Sequence, residues 1–252
     1  FIIALSGQSN SQGWMAEADF TNWRDKPHER IFGYNPTTLN WEIADLNTQS
    51  LGSSWHRMPG WQCLAFHMAH RLVEAYPDIR PGIINVGVGG QAICRWAKYD
   101  QCDNWHKLNC ERAMSVGVLP GDIFDVHVGQ IEHAMNQCLG CKIDVIFWHQ
   151  GESDCDQLGG NSDYYKASLL RVISQYRSLN WCSDTTPFIV GETTSPERNV
   201  QLHEIAATDG YIKCVSTLDL PRQKEDPIHF DSKAQRMLGT RYFRALRDIF
   251  SS

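Results

Sequence analysis

Phe1-Ile2-Ile3-Ala4-Leu5-Ser6-Gly7-Gln8-Ser9-Asn10 opens the chain as an apolar run that ends in a glycine turn and a serine. Consecutive apolar residues without polar alternation read as a strand buried on both faces, the kind found inside a parallel sheet. Gly7 supplies the turn, and Ser9 falls where such a strand hands over to a helix. A serine there exposes its hydroxyl and aims its own backbone N–H at the same space, which suits a nucleophile that also stabilises an oxyanion. The G-x-S-x-G elbow is not matched, because Ser11 stands where its second glycine belongs.

Four further apolar runs, 83–88, 143–148, 187–191 and 211–215, repeat the strand pattern set by 1–5. Helical periodicity lies between them. In 62–76 the pairs Leu64/Ala65, Met68/Ala69 and Leu72/Val73 form one stripe before Pro77, and in 163–178 the stripe is Tyr165, Leu169, Val172/Ile173 and Tyr176. Segment 122–138 carries Ile123, Val126, Ile131 and Met135, and the last helix starts at Asp231 or Ser232 and runs through Leu238, Tyr242, Leu246 and Ile249. Strands alternating with helices make a parallel sheet covered on both faces, an α/β architecture in a single domain spanning 1–252. Stretches 10–60 and 95–121 resist this scheme and read as long loops at strand carboxyl ends, where open sheets build their ligand crevices.

A hydrophobic content of 42% over 252 residues is enough for one large buried core. The formal charge of -6 gives no electrostatic reason for a nucleic-acid partner. No apolar run approaches the ~18 residues of a membrane-spanning helix, and a signal-peptide pattern is absent, so no membrane insertion is expected. Phe1 in place of Met reads as the start of a processed or excised fragment. Nine cysteines favour a disulfide-bearing protein of an extracellular or periplasmic compartment, and the odd number leaves at least one unpaired within the chain. Cys94, Cys102 and Cys110 could staple a loop. A zinc site from these with His106 lacks paired C-x2-C spacing and is set aside. Cys138 and Cys141 read as unrelated thiols or a disulfide end.

Two more blocks carry chemistry. In Asp226-Pro227-Ile228-His229, on the loop before the last helix, the imidazole can reach the serine while the carboxylate fixes its tautomer. In His149-Gln150-Gly151-Glu152-Ser153-Asp154 the Gln150 amide follows a strand and is a candidate oxyanion donor. Glu152 and Asp154 there are expected to hold the loop by hydrogen bonds. The run Gly87-Val88-Gly89-Gly90-Gln91-Ala92 formally fits a dinucleotide fingerprint, but a polar cysteine-bearing loop follows it instead of a helix. A glycine N–H there is the second oxyanion donor, with no cofactor.

These blocks resemble the SGNH hydrolases, and within them the sialate O-acetylesterase-like carbohydrate esterases, whose signatures are G-Q-S-N, G-G-x-x-I-x-x-W, H-Q-G-E-x-D and D-x-x-H. Here they stand, in family order, as 7–10, 89–96, 149–154 and 226–229. The resemblance implies a flavodoxin-like, three-layer α/β/α sandwich with a five-stranded parallel sheet. It also implies Ser9 as nucleophile, His229 as base then acid, and Asp226 as the orienting carboxylate. The oxyanion hole would comprise Ser9 N–H, Gly89 N–H and the Gln150 amide. Gln91 stands where Ser or Thr is common, which leaves Gly89 or Gly90 open as the donor.

The expected activity is metal-independent hydrolysis of O-acetyl groups on a carbohydrate, sialic acid or a polysaccharide, through an acyl-enzyme. Trp14, Trp23, Trp55 and Trp96 are candidates to stack on sugar rings. Arg57 and Arg95 are candidates to pair with a sugar carboxylate. Two rivals remain: a longer-chain SGNH lipase or thioesterase, which the polar, tryptophan-rich insertions disfavour, and a glycan-binding or adhesion module of a larger surface or phage-tail protein.

Overall fold

Alternation along the first strand decides how the layers stack. The computed structural model describes residues 1–52, 58–98, 121–154 and 162–251. Its main sheet is built from β1 (Ile2–Gly7), β2 (Phe32–Asn35), β3 (Asn40–Ile43), β4 (Gly82–Gly87), β5 (Ile143–His149), β6 (Phe188–Gly191) and β7 (Ile212–Val215). The strand order is β3-β2-β4-β1-β5-β6-β7, and every pairing is parallel except β2 with the edge strand β3. In β1, Ile3 and Leu5 join one buried cluster while Ile2 and Ala4 join the other, as the two-residue period of a strand demands.

Helices cover both faces. Ile3 and Leu5 face α2 (Leu64–Ala75) and α6 (Ser232–Phe250), whose Leu64, Met68, Leu238 and Tyr242 share their cluster. Ala4 faces α3 (Asp122–Asn136), α4 (Ser162–Arg177) and α5 (Pro196–Ala206), through Ile131, Leu169 and Leu202. The α2, α4 and α6 stripes expected from the sequence are buried throughout. Asp231 caps α6, its carboxylate accepting from Ala234 N–H at 2.7 Å. The three-layer α/β/α sandwich is therefore present.

The strand count is not five but seven. Phe32–Asn35 and Asn40–Ile43, read as loop, extend the sheet beyond β4 as a hairpin. Tertiary contacts hold this weakly apolar hairpin: Trp41 Nε1 donates to Ala134 O at 3.0 Å, and the Tyr34 hydroxyl bonds His133 Nδ1 at 2.9 Å. The D-x-x-H block is also a strand rather than a loop. It forms β9 (Asp226–Phe230), paired antiparallel with β8 (Arg222–Gln223) in a separate two-stranded ribbon. α5, not foreseen, begins with a Ser195 cap and Pro196 in its first turn.

The chain leaves β4 on one side of β1 and enters β5 on the other, so the three strands meet at a switch point. Their carboxyl ends are where such sheets bind ligands.

Candidate active site

β1 ends at Gly7 with φ +138°, and a Cβ there would lie 2.2 Å from the His149 carbonyl oxygen. Only glycine fits. Gln8 N–H then donates to that carbonyl at 2.9 Å, and a single helical turn, α1 (Ser9–Gln12), begins at the serine. Ser9 Oγ lies 2.7 Å from His229 Nε2, and His229 Nδ1 lies 2.5 Å from Asp226 Oδ2. The other Asp226 oxygen accepts the backbone N–H of Ile228 at 3.0 Å and of His229 at 3.2 Å.

Burial works to raise the Asp226 pKa, but its bonds from the His229 ring and the Ile228 N–H outweigh this and hold the carboxyl below the usual range. An ionised carboxylate only accepts, so Nδ1 carries the ring proton. With the proton on Nδ1, Nε2 is the ring atom that accepts from the Ser9 hydroxyl. This directional chain leaves Ser9 Oγ with a base at hand.

The three loops are bolted together beneath it. Gln8 Oε1 accepts the N–H groups of Gly151 and Ser153, each at 3.3 Å. Asp154 accepts Ile93 N–H at 3.0 Å and the Gln150 amide at 2.5 Å, tying the 149–154 loop to the glycine loop after β4. Burial pushes the Asp154 pKa up to about 6 and also raises that of Glu152, whose Oε1 accepts from Asn10 Nδ2 at 2.7 Å. Both carboxylates thus hold loops, as the sequence leads one to expect.

Above Ser9 opens a cavity of about 860 Å³. Trp14, Met58, Trp61, Val88 and Ile228 make its apolar walls, and Gln12, Gly89, Gly90, Gln91 and Ser153 lie among the remaining lining. Trp14 and Trp61 are in ring contact at 4.9 Å between centroids, and Trp14 lies 6.1 Å from the His229 ring. A Cβ on Gly89 would come 3.6 Å from Ser9 Cβ, whereas one on Gly90 would meet nothing within 4 Å. Gly89 is therefore the glycine whose backbone lies against the serine.

Several expected site residues stand elsewhere. Gln150 is fully buried and outside the cavity lining; its amide donates to Gln91 O of the glycine loop at 3.0 Å as well as to Asp154, so its N–H groups are spent on protein acceptors. Trp96 is core rather than substrate wall: it is 0% exposed, donates to Ser6 Oγ at 2.9 Å and packs edge-on against Trp148. Arg95 grips Asp122 through Nε at 2.8 Å and through Nη2, and its Nη1 donates to Gln91 Oε1 at 2.7 Å. Its charge is thus answered within the protein, and it supports the cavity wall through Gln91. Trp23 lies exposed against Arg24 and His70, away from the cavity. Arg57, Trp55, Cys102, His106 and Cys110 lie outside the described residues.

Cys94 is a free thiol whose pKa burial pushes up to about 12, and Cys138 and Cys141 are free as well. Among the described residues no group of three ligands is placed to hold a metal, and no helix is long and apolar enough to cross a membrane. Sequence reasoning missed Trp61 and Met58, which lie at the end of a stretch too irregular to place, and the anchoring roles of Gln8 and Asn10. The signal for these last two was their position on either side of Ser9.

Fold and site together define a hydrolase of the three-layer α/β/α class, with a hydrogen-bonded serine at the switch point of its sheet. The family model for carbohydrate esterases, sialic acid-specific acetylesterase, matches residues 1–248. The chain belongs to that family, and it is a carboxylic ester hydrolase, in line with the resemblance drawn from its four motifs. A protein from Arabidopsis thaliana has a similar structure, with 22% identity, a TM-score of 0.68 and coverage of 98% of this chain and 97% of the other. NanS aligns at 16% identity and TM-score 0.67, over 100% and 97% of the two chains. A carbohydrate acetylesterase from Xanthomonas citri aligns at 17% and 0.64, over 100% of this chain and 57% of its own. No curated protein sequence matches the chain.

Proposed function

We propose that the protein removes O-acetyl groups from a carbohydrate, sialic acid or a polysaccharide, through a covalent acetyl-enzyme on Ser9. The observation that carries this reading is the unbroken chain from Ser9 Oγ through His229 to Asp226. His229 Nε2 takes the hydroxyl proton as Oγ attacks the acetyl carbonyl, and Asp226 stabilises the imidazolium that forms. The tetrahedral oxyanion faces the backbone N–H groups of Ser9 and Gly89. His229 then protonates the departing sugar oxygen, and the C–O bond breaks to leave the acetyl ester on Ser9. Water enters, gives its proton to Nε2 and adds to that carbonyl. Collapse returns the proton to Oγ and releases acetic acid, which gives its proton to solvent to become acetate.

The sugar rests against Trp14 and Trp61, whose flat faces suit the C–H surfaces of a pyranose. The family description and the neighbour described as a carbohydrate acetylesterase favour an acetylated sugar over a long acyl chain.

The test is acetate release from 9-O-acetylated sialic acid and acetylated xylan, with Ser9→Ala alongside. Release by the native protein and loss in the variant are expected. Wild-type release by Ser9→Ala would sink the mechanism, and silence of the native protein on every sugar would sink the substrate class.

A further inference from the structure

Asn10 follows Ser9 directly and is fully buried, yet it does not line the cavity. Its carboxamide faces β9. Oδ1 accepts the N–H of Phe230 at 3.1 Å, and Nδ2 donates to the carbonyl of Ile228 at 3.2 Å. These two groups flank His229 in sequence, one on each side. The amide therefore engages β9 as a residue of a neighbouring strand would.

Its orientation follows from its partners. A backbone N–H can only donate, so the atom facing Phe230 is the oxygen; the NH2 group then meets Ile228 O and Glu152 Oε1, which both accept. Gln235 of α6 donates to the Asn10 carbonyl at 2.9 Å, fixing the main chain from which the side chain projects. β8 pairs with β9 only at Phe230 and Asp226, through an irregular register, so it leaves the histidine position itself unpaired in the ladder.

We propose that Asn10 is a positioning residue for the esterase reaction: its side chain clasps the backbone on both sides of His229 and so sets the distance from Nε2 to Ser9 Oγ. This rests on the Ser9 mechanism proposed above. Because Ser9 and Asn10 are adjacent, serine and histidine are referenced to one another across a span of two residues. Glu152 holds the amide in register from behind. A misplacement of ~1 Å between reacting groups is enough to cost ~100-fold in rate.

The probe is p-nitrophenyl acetate. Asn10→Ala is expected to lower kcat ~100-fold with KM within ~2-fold of wild type. Phosphonylation of Ser9 by a fluorophosphonate is expected to slow in parallel. Asn10→Asp, of equal size, keeps the acceptor for Phe230 but loses the donor to Ile228; it is expected to lose kcat at least ~10-fold, and it decides the matter should Asn10→Ala not fold. Since Asn10 acts only through His229, adding Asn10→Ala to His229→Ala is expected to change residual turnover by less than ~2-fold.

Wild-type kcat in both Asn10 variants, a rise in KM alone, or a full further loss in the His229→Ala background would overturn the proposal. Turnover that survives Ser9→Ala overturns the mechanism itself. Turnover lost in Ser9→Ala but intact in the Asn10 variants overturns only the clasp.

Discussion

Replacing Asp226 by Asn tests whether the carboxylate dictates the ring tautomer of His229. Asp226 Oδ1 receives two backbone N–H groups, from Ile228 and His229, and Oδ2 receives the ring Nδ1. An asparagine in the same rotamer must keep its oxygen toward the two backbone donors, which turns its NH2 toward Nδ1. Nδ1 then has to accept, the ring proton moves to Nε2, and the face toward Ser9 changes from acceptor to donor. In a serine protease the same exchange lowers kcat ~10,000-fold. Here the carboxylate side chain is 33% exposed, so solvent screens its interaction with the imidazolium and a smaller electrostatic share is lost. The expected loss in Asp226→Asn is ~300-fold, equivalent to ~3.4 kcal/mol of transition-state stabilisation. Initial rates on p-nitrophenyl acetate at neutral pH, with thermal melting to verify the fold, are the assay. A folded Asp226→Asn that keeps kcat/KM within ~3-fold of wild type would refute the tautomer argument.

Trp61→Ala removes half of the paired aromatic wall and is expected to raise KM for an acetylated oligosaccharide several-fold, with little change in kcat on p-nitrophenyl acetate; steady-state kinetics on both esters check this. Trp96→Ala, in the core, is expected to cost ~3–5 kcal/mol in urea unfolding, whatever its effect on catalysis. Asp154 holds its proton more tightly folded than unfolded, with a pKa of about 6 against an ordinary 3.8. Its contribution to stability therefore falls as pH rises between those values and is flat above them. Asp154→Asn is expected to remove that leg from a plot of melting temperature against pH, measured from about 3.5 to about 7.

Much of the sheet was legible because β1, β4 and β5 are buried on both faces and so write themselves as apolar runs. β3 escaped because its Asn40 and Ile43 are exposed and its Trp41 is anchored by α3, distant in sequence. Ser9, His229 and Asp226 could be named from motifs, since their chemistry restricts which residue types serve. Trp96 and Arg95 could not be placed the same way. A tryptophan in a polar stretch suits a sugar platform and a core equally well, and the choice was made by Ser6 and Trp148, distant in sequence. Arg95 was claimed by Asp122, a partner 27 positions away that no local pattern announces. Gln150 stands beside the right strand, but the direction of its amide depends on Asp154 and Gln91 together.

The serine opens the helical turn that follows β1, while its histidine sits on the small ribbon before the last helix, 220 positions later. Closing a loop of that size is among the slowest contacts to form, because its entropy is lost before any packing rewards it. A refolding chain can complete β1, β4 and β5 with their helices and still have no base opposite Ser9. Recovery of ester hydrolysis during refolding therefore clocks the docking of the carboxyl-terminal ribbon, and it should lag behind signals that follow the central sheet alone.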